Sequence, residues 1–79
     1  MSKISVDTAL DAFHAEYIRA RQHFKPCHSG HEGYAVLLEE VEEMWDAIKT
    51  NNIAHARHEV VQVGAMALAF LLEIKNNEE

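Results

Sequence analysis

Apolar residues recur along this chain at intervals of three and four, the spacing that gathers them on one face of an α-helix. Val6, Leu10, Phe13, Tyr17, Ala20 and Phe24 form the first such line. It predicts a helix over 6–24, capped by Ser5 or Asp7 and ended by Pro26. Tyr34, Leu38, Val41, Trp45 and Ile48 form the second line and the expected core stripe of a helix over 30–49. Ser29 and Glu32 stand before it at capping-box spacing. A third helix is predicted over 53–75, with Asn52 as its cap and Lys75 in its last turn, where a cation suits the helix dipole. Lys25-Pro26-Cys27-His28-Ser29-Gly30 and Thr50-Asn51-Asn52 read as the two connections. There is no period-two alternation and no β-branched cluster, so the fold class is all-α.

The third helix differs from the other two. From Val60 to Leu72 it is apolar almost all round, which predicts burial on several sides. Three helices of one short chain have little surface to cover it. An antiparallel bundle completed to four or more helices in a homodimer or homotetramer is therefore expected. Gly64, Ala65, Ala67 and Ala69 are small enough for close helix approach, and Gly64 costs about 1 kcal/mol relative to alanine. The Asn76-Asn77-Glu78-Glu79 end reads as a frayed tail.

Composition narrows the picture. The chain has 79 residues, one domain over 1–79. A chain this short buries only about 60% of the surface its unfolded form exposes, so a metal or a partner subunit is a common supplement. Cys27 is the single cysteine, which excludes an internal disulfide and suits a reducing, cytoplasmic setting. Met1-Ser2-Lys3-Ile4-Ser5 does not read as a secretory signal. The apolar run from Val63 to Leu72 is shorter than the roughly 20 residues a membrane span needs. A formal net charge of −6 argues against binding a nucleic-acid polymer. An anionic small molecule remains compatible with it if a divalent cation stands between the two.

Candidate chemistry concentrates in Glu39-Glu40-Val41-Glu42-Glu43. An acidic run on a helix is ordinarily a solvated face. With about 100° per residue and Val41 at the centre of the core stripe, Glu39, Glu42, Asp46 and Lys49 fall on the outer side. Glu40 and Glu43 share a flank with Val36 and Ala47 and are expected to face another helix. Two carboxylates facing protein require a cation, a proton or a basic partner. On the third helix His55, Glu59, Gln62, Met66 and Glu73 share one stripe. Glu59 there either pairs locally with His58, His55 or Arg57, or joins Gln62 in facing Glu40 and Glu43. The second arrangement offers only oxygen ligands, the set Mg²⁺ prefers. Cys27, His28 and His31 lack a usual structural-zinc spacing. Trp45 and Tyr34 read as packing before base stacking, Met44 and Met66 as core filler, and His14 and His23 as surface.

The segment from His31 to Trp45, followed by Glu59-Val60-Val61-Gln62-Val63-Gly64-Ala65-Met66-Ala67, resembles the MazG-type nucleoside-triphosphate pyrophosphohydrolases. That family carries EExxE on one helix and ExxD on the next. Glu39, Glu40 and Glu43 match the first motif and Glu59 the first acid of the second, and the resemblance spans about residues 29 to 75. Gln62 stands where the family has Asp, which removes one formal charge. The resemblance implies Mg²⁺-dependent hydrolysis of a nucleoside triphosphate to monophosphate and pyrophosphate, with Mn²⁺ as a substitute ion. It implies Glu40, Glu43, Glu59 and Gln62 as metal ligands, and Glu39 and Glu40 as the catalytic pair. His28 and His31 lie near the nucleotide entrance in this family, and Lys49 and Arg57 are candidates for phosphate by charge. A non-catalytic relative that binds nucleotide or protein is the alternative. There is no GxxxxGK loop, so P-loop chemistry is excluded.

Overall fold

The computed structural model describes residues 3–76. The expectations that fall on Met1, Ser2 and 77–79 lie outside the described residues. Three helices make up the fold: α1 (Val6–His23), α2 (Gly30–Lys49) and α3 (Ile53–Glu73). No described residue lies in a strand.

Each helix start is capped by a side chain. Ser5, Ser29 and Asn52 accept from the amides of Thr8, Glu32 and His55, satisfying donors that have no partner within the helix. Glu32 closes the second cap by accepting from the His28 amide at 2.9 Å. The ends of α1 and α3 fall short of expectation. α1 stops at His23, just ahead of Pro26, and α3 at Glu73, so Lys75 lies past the last turn instead of in it.

The α2–α3 connection is a tight reversal. Asn51 takes a left-handed conformation (φ 59°), which asparagine tolerates better than most residues. The Asn52 amide donates to the Ala47 carbonyl and the Asn51 amide to that of Ile48, each at 3.0 Å, which satisfies two end carbonyls of α2. The reversal lays α3 antiparallel along α2. α1 runs in the same direction as α3, because Phe13 meets Gly64 while Tyr17 and Arg21 meet Glu73 further along. α3 is thus the central helix, with α1 and α2 packed on different sides of it and not on each other. This is the source of its nearly continuous apolar perimeter. No described helix is long and apolar enough to cross a membrane.

The buried apolar residues are all small: Ala20, Ala47, Ala56, Ala65 and Ala69. Glycines take part in the same packing. Gly33 lies under the Phe70 ring, where a Cβ would come within 2.7 Å of it, and Gly64 lies under Phe13. Here the expected core stripe of α2 is corrected. Tyr34, Leu38, Trp45 and Ile48 are exposed, and the helix turns Gly33, Glu40, Met44 and Ala47 toward α3 instead. At the close spacing that Gly33, Ala47 and Ala56 permit, a line of bulky side chains would not fit between the axes. The ends of the α1 line, Val6, Leu10 and Phe24, are exposed as well.

One carboxylate ties the upper end together. Glu73 accepts from the Tyr17 hydroxyl (3.0 Å), from the Arg21 guanidinium and from the Cys27 amide (3.1 Å). Its side chain is only 7% exposed. Glu73→Ala leaves a partly buried guanidinium and an amide without their acceptor, and is expected to cost about 3 kcal/mol in urea unfolding. The Arg19–Glu16 pair has a half-exposed guanidinium, and Arg19→Ala is expected to lower the urea midpoint by less than Glu73→Ala does.

Candidate metal centre

The same close α2–α3 packing brings three carboxylates together. Glu40 and Glu43, one turn apart on α2, meet Glu59 of α3, and one oxygen from each lies within 4.8 Å of the others. Of the two placements open to Glu59 in the sequence, the structure combines both. Glu59 faces Glu40 and Glu43, and its Oε1 also lies 3.5 Å from Nε2 of His55, one turn back on α3. Glu59 is 7% exposed, Glu40 is half-buried and Glu43 stands at the rim. The Oε2 atoms of both Glu40 and Glu59 are buried and have no hydrogen-bond partner. A buried carboxylate oxygen with nothing to accept from is costly unless a proton or a cation satisfies it.

Electrostatics give the same account. Burial, then a hydrogen bond and the charge of neighbouring Glu43, then the charge of Glu59, push the Glu40 carboxyl up to about 7. Without a cation, the cluster answers its own repulsion by holding a proton on Glu40. A divalent ion would take that proton's place, and the donor set is entirely oxygen, which fits a hard cation. Two open spaces between helices adjoin the cluster. One, about 370 Å³, is lined by Glu43, Asp46, Ala47, Thr50, His55 and Glu59. The other is a groove of about 310 Å³ among all three helices, lined by Glu39 and Glu40 of α2, Gln62 of α3, Arg19 and Arg21 of α1, and Lys25 just beyond α1. Ala20, Val36 and Met66 line it too.

The remaining expected site residues divide. Glu39 is exposed on the groove wall beside Glu40. Gln62 lines the groove too, and Arg19 is the main cause that holds the nearby Glu16 carboxyl below its usual range. His28 and His31 line a separate cleft with Cys27, Glu73 and Lys75 at the other end of the hairpin. Lys49 pairs with Asp46 at 3.1 Å and lies over the Trp45 ring. Arg57 lies on the α1 side of α3 beside Phe13 and Val61. None of these last four lines the spaces beside the carboxylates. Among the described residues, Cys27, His28 and His31 do not converge as a metal-binding group. Burial, with the charges of Glu32 and Glu73, pushes the Cys27 thiol up and away from the thiolate a metal would need.

Arg19, Arg21 and Lys25 are groove residues that reading the sequence passed over. Their signal was a run of cations, with His23 among them, at the end of one helix in an acidic chain.

Glu40 holds its proton more tightly in the folded chain, at about 7, than at the ordinary 4.5. The stability this contributes is complete below about pH 4.5 and is lost as the pH rises through about 7. In metal-free buffer the thermal midpoint is expected to fall between about pH 5 and pH 8, and Glu40→Gln to flatten that slope. Equal slopes in the two proteins would show that Glu40 is not the group responsible. Compared with the models of known protein families, with curated proteins and with solved structures, the chain matches none.

Proposed function

We propose that the chain is a divalent-metal-dependent nucleoside-triphosphate pyrophosphohydrolase, as its likeness to the MazG-type enzymes implies. One observation carries the reading. Glu59, more than nine-tenths buried, aims an unpartnered oxygen into a cluster with Glu40 and Glu43, which is costly for a stable fold unless something positive occupies it. Mg²⁺, or Mn²⁺ in its place, fits these donors. When bound, such an ion would neutralise phosphate charge and lower the pKa of a coordinated water.

The chain's own residues supply the rest. Glu40, Glu43 and Glu59 hold the ion, and Glu59 is steadied by His55. Glu39, exposed beside Glu40, would accept a proton from the attacking water. Water adds to the α-phosphorus, the bond to the bridging oxygen of the β-phosphate breaks, and nucleoside monophosphate and pyrophosphate leave. Lys25, which lines the same groove, offers its ammonium to the phosphates. Arg19 and Arg21 are committed to Glu16 and Glu73 and shape the wall.

A second reading is a nucleotide-binding module without turnover. The observation favouring it is Gln62, which brings no charge where the resemblance calls for an acid. Pyrophosphate release from a panel of ribo- and deoxyribonucleoside triphosphates separates the two. The enzyme reading predicts Mg²⁺-dependent release that falls at least about 100-fold, about 2.7 kcal/mol in the barrier, in Glu40→Gln. Absence of release from folded protein that still binds nucleotide would favour the module, and Gln62→Asp would then be expected to restore turnover.

A further inference from the structure

The connection between α1 and α2 is short and stiff. Phe24 is extended (φ −132°, ψ 148°). Lys25 precedes a proline, which confines it to extended backbone, and Pro26 has a fixed φ and no amide hydrogen to give. From α1 itself the stretch receives the bond of the Phe24 amide to the Ala20 carbonyl at 2.8 Å. Further support comes from across the fold. The Cys27 amide donates to Glu73 at 3.1 Å. Arg21 donates to Glu73 through two of its nitrogens, and through the third to the Phe24 carbonyl at 2.6 Å. Glu73 therefore holds the backbone on both sides of Lys25, at Phe24 by way of Arg21 and at Cys27 directly. The Arg21 guanidinium is steadied by the Tyr17 ring, 5.5 Å away, and the Tyr17 hydroxyl donates to the same carboxylate.

Arg21, Phe24, Lys25 and Cys27 all line the groove that carries Glu39 and Glu40. The cations in that groove are not equivalent. Arg19 is paired with Glu16, and Arg21 with Glu73. Among the described residues no carboxylate pairs with Lys25. Its ammonium is the charge left over for an anion, and the backbone from Phe24 to Cys27 decides where its stem begins. Glu73 is not among the residues of the groove. It lines the cleft beyond, with His28 and His31, so any effect it has on a molecule in the groove passes through Arg21 and the Cys27 amide.

We infer that Glu73 is a positioning residue for this groove: by fixing the backbone from Phe24 to Cys27 it places the Lys25 ammonium for a triphosphate bound beside the carboxylates. The inference rests on the proposed binding of a nucleoside triphosphate and not on its hydrolysis. Phosphate oxygens are charged before the reaction and during it, so an ammonium held for them strengthens the ground state and the transition state alike. Such uniform binding shows in KM and leaves kcat nearly unmoved. A residue that served the fold alone would disturb the carboxylate cluster and the groove together.

The test is calorimetric binding of inorganic triphosphate to the full chain with Mn²⁺ in excess, alongside a titration with Mn²⁺ alone. Lys25→Ala and Glu73→Gln are each expected to weaken triphosphate binding about tenfold. Combined, they should weaken it no more than about twofold beyond either one, as two changes on a single path do. Mn²⁺ affinity in Glu73→Gln should stay within about twofold of wild type, and with a nucleoside triphosphate that turns over KM should rise about tenfold while kcat holds. Arg21→Lys keeps a cation beside Glu73 but cannot also span to the Phe24 carbonyl. It is expected to give the same loss, and it carries the test if Glu73→Gln does not fold. Triphosphate binding that these variants leave unchanged would overturn the inference. So would losses that add to that of Lys25→Ala, a Mn²⁺ affinity that falls in step with them, or a wild-type chain that binds no triphosphate. A chain that binds triphosphate with this coupling and releases no pyrophosphate would uphold the role of Glu73 and sink the enzyme reading alone.

Discussion

The close approach of α2 to α3 is the contact on which everything else depends. It is made by residues with almost no side chain: Gly33 under Phe70, with Ala47 and Ala56 buried. Packing at this spacing leaves little room for bulk between the helices. It also brings together side chains that would stay apart at an ordinary distance, and Glu40 and Glu59 are among them. The hairpin therefore carries an electrostatic cost at its centre, three carboxylates with two unsatisfied oxygens, in a chain whose apolar core is too small to absorb much strain. In a protein of this size such a cluster is a candidate for function before it is a candidate for stability.

Glu73 shows what a carboxylate looks like when it serves the fold. It is as buried as Glu59, yet it has a guanidinium, a hydroxyl and an amide as donors. Glu59 has only His55, at 3.5 Å and to one oxygen. Both belong to the polar stripe of α3. The contrast between them separates a structural anchor from a carboxylate that the fold leaves with an unsatisfied oxygen.

The helices were legible in the sequence because their signals are local: Ser5, Ser29 and Asn52 as caps, Pro26 beyond the end of α1, and spacing by three and four. The pairing of Glu40 and Glu43 with Glu59 was legible too, as carboxylates sharing flanks with apolar residues. The inner face of α2 was not. Hydrophobicity ranks Tyr34, Leu38 and Trp45 above Gly33 and Ala47, but close packing selects for small volume, so the most apolar line turned outward. The groove cations were also illegible, because their place beside the carboxylates depends on where α1 lies against α3, which no local pattern specifies.

The central claim is that Glu40, Glu43 and Glu59 together hold a divalent cation. Its most direct test is titration of the full chain with Mn²⁺, following the free-ion signal by electron paramagnetic resonance. The account predicts saturable loss of that signal, reversal by excess Mg²⁺, and no saturable loss in Glu59→Gln that retains its helical circular dichroism. Loss of signal that is unsaturable, or that Glu59→Gln leaves unchanged, would contradict it.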